Sequence, residues 1–397
     1  MSTHDQMHPR TDKDTREENL GFATRAIHAG QEPDALTGAV VTPIHLATTY
    51  AQQAVGEHKG FDYSRTANPT RVSLETTMAV LEGARFGFAF SSGMAACDAV
   101  LRMLHPGDHL VIPNDAYGGT YRLVASIYAA SGVAFSAVDL RDTDALSRAW
   151  REETRLVWLE TPSNPKLNVI DIEAVAAIAH DKGGLCVVDN TFATPCLQLP
   201  VALGADAVMH SSTKYLGGHS DVVGGLVLTS DEELAARIGF VQNSAGAVPS
   251  PFDCYLVQRG LKTLEVRLAR QCSNAGVIAE HLLGHPAVQE VYYPGLDSHP
   301  GHDLASRQMR DFGAMVSFTL KGGEAAAMKL AAGTRIFTLA ESLGAVESLI
   351  ELPARMTHAS VAGSALAVDP SLIRLSIGLE DLDDLLNDLD NALGLAG

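Results

Sequence analysis

The 397-residue sequence contains no CxxC pair, no GxGxxG or Walker loop, no HExxH motif and no apolar run long enough to cross a membrane. Each absence removes a class of function. Without the glycine fingerprints, dinucleotide and nucleoside-triphosphate chemistry lose their usual phosphate cradles. Fifteen histidines are present without an HExxH motif, so no metal is expected. The five cysteines (Cys97, Cys186, Cys196, Cys254, Cys272) are odd in number and lie mostly in apolar or helical surroundings. They predict reduced core thiols in a cytoplasmic protein rather than a disulfide framework. Positive charge is also scarce. Lys+Arg number 29 against 47 Asp+Glu, a formal net charge of −18 spread without long acidic runs. That balance speaks against nucleic-acid and anionic-membrane partners, although it leaves room for a small anion held by local donors. There is no internal repeat or low-complexity segment. Residues 1–20 are polar, mixed in charge and without an apolar signal core, and read as a mobile tail.

What is present is a regular alternation. Val72–Leu81 has helical spacing, Phe86–Phe90 reads as a short apolar strand, and Ser91–Ser92–Gly93 opens a helix running to Met103. Further strands are expected at Asp108–Ile112, Ala134–Val138, Leu156–Leu159, Leu185–Val188, Ala207–Met209 and Leu226–Thr229. Helices are expected at Thr120–Ala130, Asp142–Arg151 and Ile172–Asp181. Such alternation predicts an α/β fold with a mostly parallel central sheet covered by helices on both faces. Past a long helical stretch over Cys254–Leu283 the order loosens. Strands at Ala287–Tyr292, Ala314–Leu320 and Leu372–Ile377 and helices at Leu304–Met309, Glu324–Ala331 and Leu382–Leu393 predict a smaller α+β C-terminal domain over 262–397. Residues 21–70 have little periodicity and many turn formers, so an N-terminal arm lying on something else is expected there. The main domain then covers 71–261.

In sheets of this kind ligands collect at the carboxyl ends of strands. Those ends carry Ser91–Gly93, Asp115–Tyr117, Glu160–Asn164, Asp189–Thr191 and Ser211–Lys214. Ser91–Ser92–Gly93–Met94 could be an ordinary serine cap, or a phosphate seat at a helix N-terminus. Ser211 and Thr213 could add hydroxyls, and Tyr63 and Arg65 a phenol and a guanidinium. Lys214, amid hydroxyls and followed by a glycine-rich loop, is either a solvated surface lysine or a working amine. Asp189 ends an apolar strand and is either a cap or the partner of a protonated ring nitrogen. Tyr117 can stack on a flat ring or simply pack. Arg374 lies within the apolar run Leu372–Ser376 and is either paired with Glu341, Glu347 or Glu351, or clamps a substrate carboxylate. Together these groups suit a flat, phosphorylated aromatic aldehyde, and pyridoxal 5'-phosphate is the cofactor they fit.

The chain resembles the transsulfuration group of fold-type I pyridoxal-phosphate enzymes, the Cys/Met-metabolism family. The resemblance rests on FDYSRTANPTR, AFSSGMAA, DAYGGT, ETPSNP, VVDNTFATP, HSSTKYLGGHSDVVGG, FTLAESLGAVESLIELPARMTHAS and LIRLSIGLEDLDDLLNDL, and spans about residues 21–395. It implies that residues 71–261 bind the cofactor, with Lys214 the covalent attachment point and proton carrier. Asp189 would hold the ring nitrogen protonated, and Tyr117 would stack on the ring and assist the leaving group. Gly93 and Met94 N–H groups and the Ser211 and Thr213 hydroxyls would bind the phosphate. Tyr63 and Arg65 would reach the phosphate of a neighbouring subunit, within a homotetramer built from dimers with shared active sites. Asn164, Ser342 and Arg374 would position substrate and cofactor, and Glu341 would meet the distal ammonium of a long sulfur amino acid. The activity implied is γ-elimination of L-cystathionine to L-cysteine, 2-oxobutanoate and ammonia. The alternative is γ-synthesis of cystathionine from O-succinyl- or O-acetyl-L-homoserine and L-cysteine. O-acetylhomoserine sulfhydrylase and methionine γ-lyase activities stand further off, since Gly119 occupies the position where methionine γ-lyases carry a cysteine.

Overall fold

A computed structural model of the chain describes residues 20–358 and 367–396. The tail expected over 1–20 falls outside them except for Leu20. In chain order the strands are β1 (Phe86–Phe90), β2 (His109–Pro113), β3 (Ala134–Val138), β4 (Thr154–Glu160), β5 (Leu185–Asp189) and β6 (Ala207–Ser211). They continue as β7 (Gly225–Thr229), β8 (Val288–Tyr292), β9 (Met315–Leu320), β10 (Thr338–Leu339), β11 (Leu349–Glu351) and β12 (Leu372–Ser376). The chain forms two compact units, each assembled from two separate stretches: residues through Met103 with Leu199–Glu265, and Leu104–Gln198 with the chain from Val266.

In the first unit β7 lies between β1 and β6 and runs antiparallel to both. Register then decides where the loops emerge. Phe90, the last residue of β1, and Ser211, the last of β6, both pair with Gly225. The Ser91–Gly93 turn and the Ser212–Lys214 turn therefore leave the sheet at the same edge. Helix Pro69–Glu82 packs on this unit with its start fixed by Asn68, whose side chain accepts from Thr70 N and Arg71 N, and by Pro69 at its first turn.

In the second unit β4 pairs with β5 and β2, and β2 with β3, all parallel. The runs of β2, β4 and β5 are buried almost throughout, with Trp158 and Val157 fully enclosed, as expected of strands covered on both faces, while every residue of β3 is half-buried or exposed. A second sheet, in the order β10-β11-β12-β9-β8, forms the α+β part. Helix Leu382–Ala396 buries Leu385, Leu389, Ala392 and Leu393, a stripe at helical spacing, while Asp383 and Asp384 lie in its first turn.

Several elements differ from the expectations. The arm holds a seven-residue helix, Phe22–His28, too short for a period to show; it buries Phe22 and Ala26. The stretch over 254–283 is two helices, Pro251–Leu261 and Leu264–Leu283. Thr120–Ala130 divides into an α turn (Gly118–Leu123), a π turn (Val124–Tyr128) and a 3-10 turn (Ala129–Ser131).

Candidate active site

The first unit carries an anion seat and a lysine loop. Helix Gly93–Leu101 begins beyond β1 with the Ser92 side chain accepting from Ala95 N (3.0 Å) and the Ser92 carbonyl from Ala96 N (3.1 Å). The N–H groups of Gly93 and Met94 donate to no atom among the described residues. Two unused donors at the positive end of a helix suit a phosphate, so the residues present fit the cofactor. Gly93 is required by proximity: a Cβ there would lie 2.9 Å from Ser211 Cβ. Ser211 is thus held beside the helix start. The loop that follows closes on itself through Ser212 N to Gly224 O (3.0 Å) and Gly218 N to Lys214 O (2.8 Å), leaving Lys214 half-buried. Thr213 Oγ1 already accepts from Gly224 N (3.1 Å) and donates to Gly224 O (3.3 Å), so binding a phosphate would redirect its single proton.

Tyr63 and Arg65 stand together on the arm, with the guanidinium 5.6 Å from the phenol ring centroid. Both are exposed, and Arg65 Nη1 donates to Asn243 O (2.6 Å) and Asn243 Oδ1 (2.9 Å).

The second unit carries a carboxylate cluster. β4 and β5 end in register, so Glu160 and Asp189 are cross-strand neighbours at the carboxyl edge. Asp189 Oδ1 accepts from Thr191 N (3.0 Å), the capping bond foreseen for it. Glu160 is buried; Oε2 accepts from Tyr117 N (2.7 Å) and Oε1 from Trp158 Nε1 (3.3 Å). Burial, then the Asp189 charge, raise its pKa well above the ordinary carboxyl value, against the two donors. The direction favours the neutral form of Glu160. Burial also raises the Tyr117 phenol, so that hydroxyl keeps its proton at neutral pH.

Asn164, Ser342 and Arg374 are joined. Arg374, 2% exposed, donates from Nη1 to Asn164 Oδ1 (2.8 Å) and from Nη2 to Ser342 O (2.8 Å). Of the three glutamates considered as partners, Glu351 forms the ion pair, at 3.0 Å. Ser342 adopts φ 102°, an uncommon conformation for a residue with a Cβ, and this aims its carbonyl at the guanidinium. Glu341 is exposed and its charge contributes to the raised Tyr117 pKa. His358 was not foreseen. It is buried, lies edge-on to Tyr117 at 6.3 Å between centroids, and has Nε2 3.1 Å from Asn164 O. Burial, then the Arg374 charge, lower its pKa to about 4, so the ring is neutral.

Residues 23–394 match the model of the "Cys/Met metabolism PLP-dependent enzyme" family. The chain is 57% identical over 376 residues to a cystathionine gamma-synthase of Mycobacterium tuberculosis, covering 94% of this chain and 97% of that one. It is 50% identical over 375 residues to a cystathionine beta-lyase of Coxiella burnetii, covering 93% and 97%. The crystal structure of cystathionine gamma synthase from Xanthomonas oryzae pv. oryzae in complex with cystathionine superposes with a TM-score of 0.93 at 48% identity, covering 95% of this chain and 98% of that one. With motifs, fold and near-complete coverage in agreement, this chain belongs to the Cys/Met-metabolism family of pyridoxal-phosphate-dependent enzymes.

Proposed function

We propose that the chain is a cytoplasmic transsulfuration enzyme that joins an O-acylated L-homoserine to L-cysteine at the γ-carbon, forming cystathionine. The observation that carries this reading is the 57% identity with a cystathionine gamma-synthase over nearly the whole of both chains. Bound pyridoxal phosphate would supply an electron sink that acidifies the substrate's Cα–H and Cβ–H bonds. Lys214 would bind the cofactor covalently and, once released by substrate, carry protons at Cα and Cβ. Asp189 would keep the ring nitrogen protonated, beside a Glu160 whose raised pKa favours its neutral form. Tyr117, protonated at rest, would donate to the departing γ-substituent. Gly93, Met94, Ser211 and Thr213 would hold the phosphate, and Tyr63 and Arg65 that of a neighbouring subunit in a homotetramer. Arg374, steadied by Asn164 and the Ser342 carbonyl, would anchor the substrate carboxylate.

A second reading is γ-elimination of L-cystathionine, favoured by the stretches GAVPSPFDCYLVQRGLKTL and ELPARMTHASV, which look most like cystathionine γ-lyases. Glu341 suits the distal ammonium of cystathionine, as substrate of that reaction or as product of synthesis. The two readings part on one measurement. Cystathionine formation from O-acetyl- or O-succinylhomoserine with cysteine is expected to exceed 2-oxobutanoate release from cystathionine. A dominant release of 2-oxobutanoate overturns the synthase assignment. Borohydride reduction of the holoenzyme followed by peptide mapping is expected to place the cofactor on Lys214, and a label elsewhere overturns the assignment of that residue.

A further inference from the structure

Arg71 ends the stretch FDYSRTANPTR and has no part in the chemistry above. It is nevertheless among the largest fully enclosed side chains of the protein, 2% exposed. Its guanidinium donates from Nη1 to Ser64 O (2.8 Å) and from Nη2 to Thr66 O (2.7 Å) and Arg65 O (3.3 Å). Three successive carbonyls, those flanking and including Arg65, are thus gripped by one planar fork. The fork is itself anchored. Glu75, one turn along the same helix, lies 3.4 Å from Arg71 Nε. Its Oε1 also accepts from Ala89 N in β1 (2.8 Å) and from Gln242 Nε2 (2.9 Å). Asn68 completes the frame, donating to Ser64 Oγ (3.0 Å) and His45 O (2.9 Å). Burying this cation costs desolvation, which the carbonyls and Glu75 offset only in this geometry.

We infer that Arg71 is a positioning residue for cofactor binding: it fixes the backbone of the arm so that Tyr63 and Arg65 are presented in one direction. The inference rests on the proposed reading of Tyr63 and Arg65 as phosphate ligands of a neighbouring subunit. A flexible arm would lose that presentation through conformational entropy, because each freed backbone residue regains rotational freedom. A lysine at 71 keeps the charge near Glu75 but cannot span three carbonyls.

The test is a double-mutant cycle on the full chain, read as the pyridoxal-phosphate dissociation constant by absorbance titration after cofactor removal. Arg65→Ala and Arg71→Lys are each expected to weaken binding about tenfold, the loss of charge-assisted hydrogen bonds. The double variant should be weaker than Arg65→Ala alone by clearly less than tenfold, because Arg71 then has only the Tyr63 phenol left to present. A purely structural role for Arg71 would instead make the two losses multiply to about a hundredfold, and that result overturns the inference. If Arg71→Lys binds cofactor normally while Arg65→Ala does not, the positioning claim fails and the shared-site reading stands. If Arg65→Ala binds normally, both fail. Arg71→Gln, which retains a donor for one carbonyl, gives the same cycle should the lysine variant not fold.

Discussion

Glu160 and Asp189 end neighbouring parallel strands in register, and two carboxyls so placed, one of them buried, oppose each other's ionisation. The environments differ: Glu160 lies deeper, against Trp158, where burial favours its neutral form, while Asp189 is half-buried. A folded-state pKa raised above the unfolded value makes this group stabilising at low pH, with the contribution lost as pH rises through and above the ordinary carboxyl range. Glu160→Gln preserves a neutral group of the same shape that still accepts from Tyr117 N. It is expected to cost no more than about 1 kcal/mol. Glu160→Ala leaves the Tyr117 and Trp158 donors unmet and should cost about 2–3 kcal/mol. Urea denaturation of the two variants measures the difference; equal losses would mean that the carboxyl is ionised in the native protein. None of this could be read in ETPSNP, because neutrality depends on a cross-strand partner far along the chain. Lys214 and Asp189 were legible for the opposite reason: each stands at the end of its own apolar run, where local sequence marks it. Arg71 left a faint mark, as a cation four residues before Glu75 on the same face as Leu74 and Met78 of its helix.

At the level of elements, helix Pro251–Leu261 is fitted to the lysine loop by a missing side chain. A Cβ at Gly260 would lie 2.6 Å from Leu216 O and would also strike Gly217 O, both in the turn that follows Lys214. Backbone against backbone cannot yield by changing a rotamer, so Gly260→Ala must push the helix or the loop. The expected cost is about 1–3 kcal/mol, together with a lower cofactor content in the purified protein. Gly276→Ala is the control. That glycine lies within Leu264–Leu283 with nothing inside 4 Å of its missing Cβ. The substitution should stabilise by about 0.5–1 kcal/mol, a helix-propensity gain, and urea midpoints with cofactor absorbance compare the pair. The strands of the two units were legible because their apolar runs are short and sharply bounded. The antiparallel course of β7 was not, since an apolar run carries no sign of direction. Nor were β10 and β11, of two and three residues, which exist only by pairing with β12 and each other. Helix Glu232–Ala245 has its cap in Asp231, which accepts from Leu234 N (2.7 Å). Its buried side mixes Leu234 and Ile238 with Ala235, Gly239 and the polar Gln242, and so gives a weak period.

Across the whole molecule, the second unit stores its sensitivity to acid in three histidines. His109, His299 and His358 are all buried, and burial is the first cause of a pKa lowered to about 4 in each. Neighbouring arginines add to it: Arg151 at His109, Arg141 at His299, Arg374 at His358. His109 shows how the neutral ring is held, with Nδ1 2.8 Å from Thr154 Oγ1 in β4 and Nε2 3.0 Å from Ser136 Oγ in β3. A histidine whose folded pKa lies below its unfolded value favours the folded state fully above the unfolded pKa of about 6.5. That contribution is lost as pH falls from there through 4, because the unfolded chain binds a proton the folded chain refuses. Glu160 acts in the opposite sense, but as one group against three. Stability is therefore expected to fall between pH 6.5 and 4, and the fall should begin in the second unit. Hydrogen exchange read by mass spectrometry at pH 7 and pH 4.5 tests this. Segments within 104–198 and 266–396 should lose protection before those within 20–103 and 199–265. His109→Gln, which keeps a polar group between the two hydroxyls and cannot titrate, should flatten the pH dependence of the urea midpoint by about one proton. An unchanged slope would mean that the imidazole is charged in the native sheet.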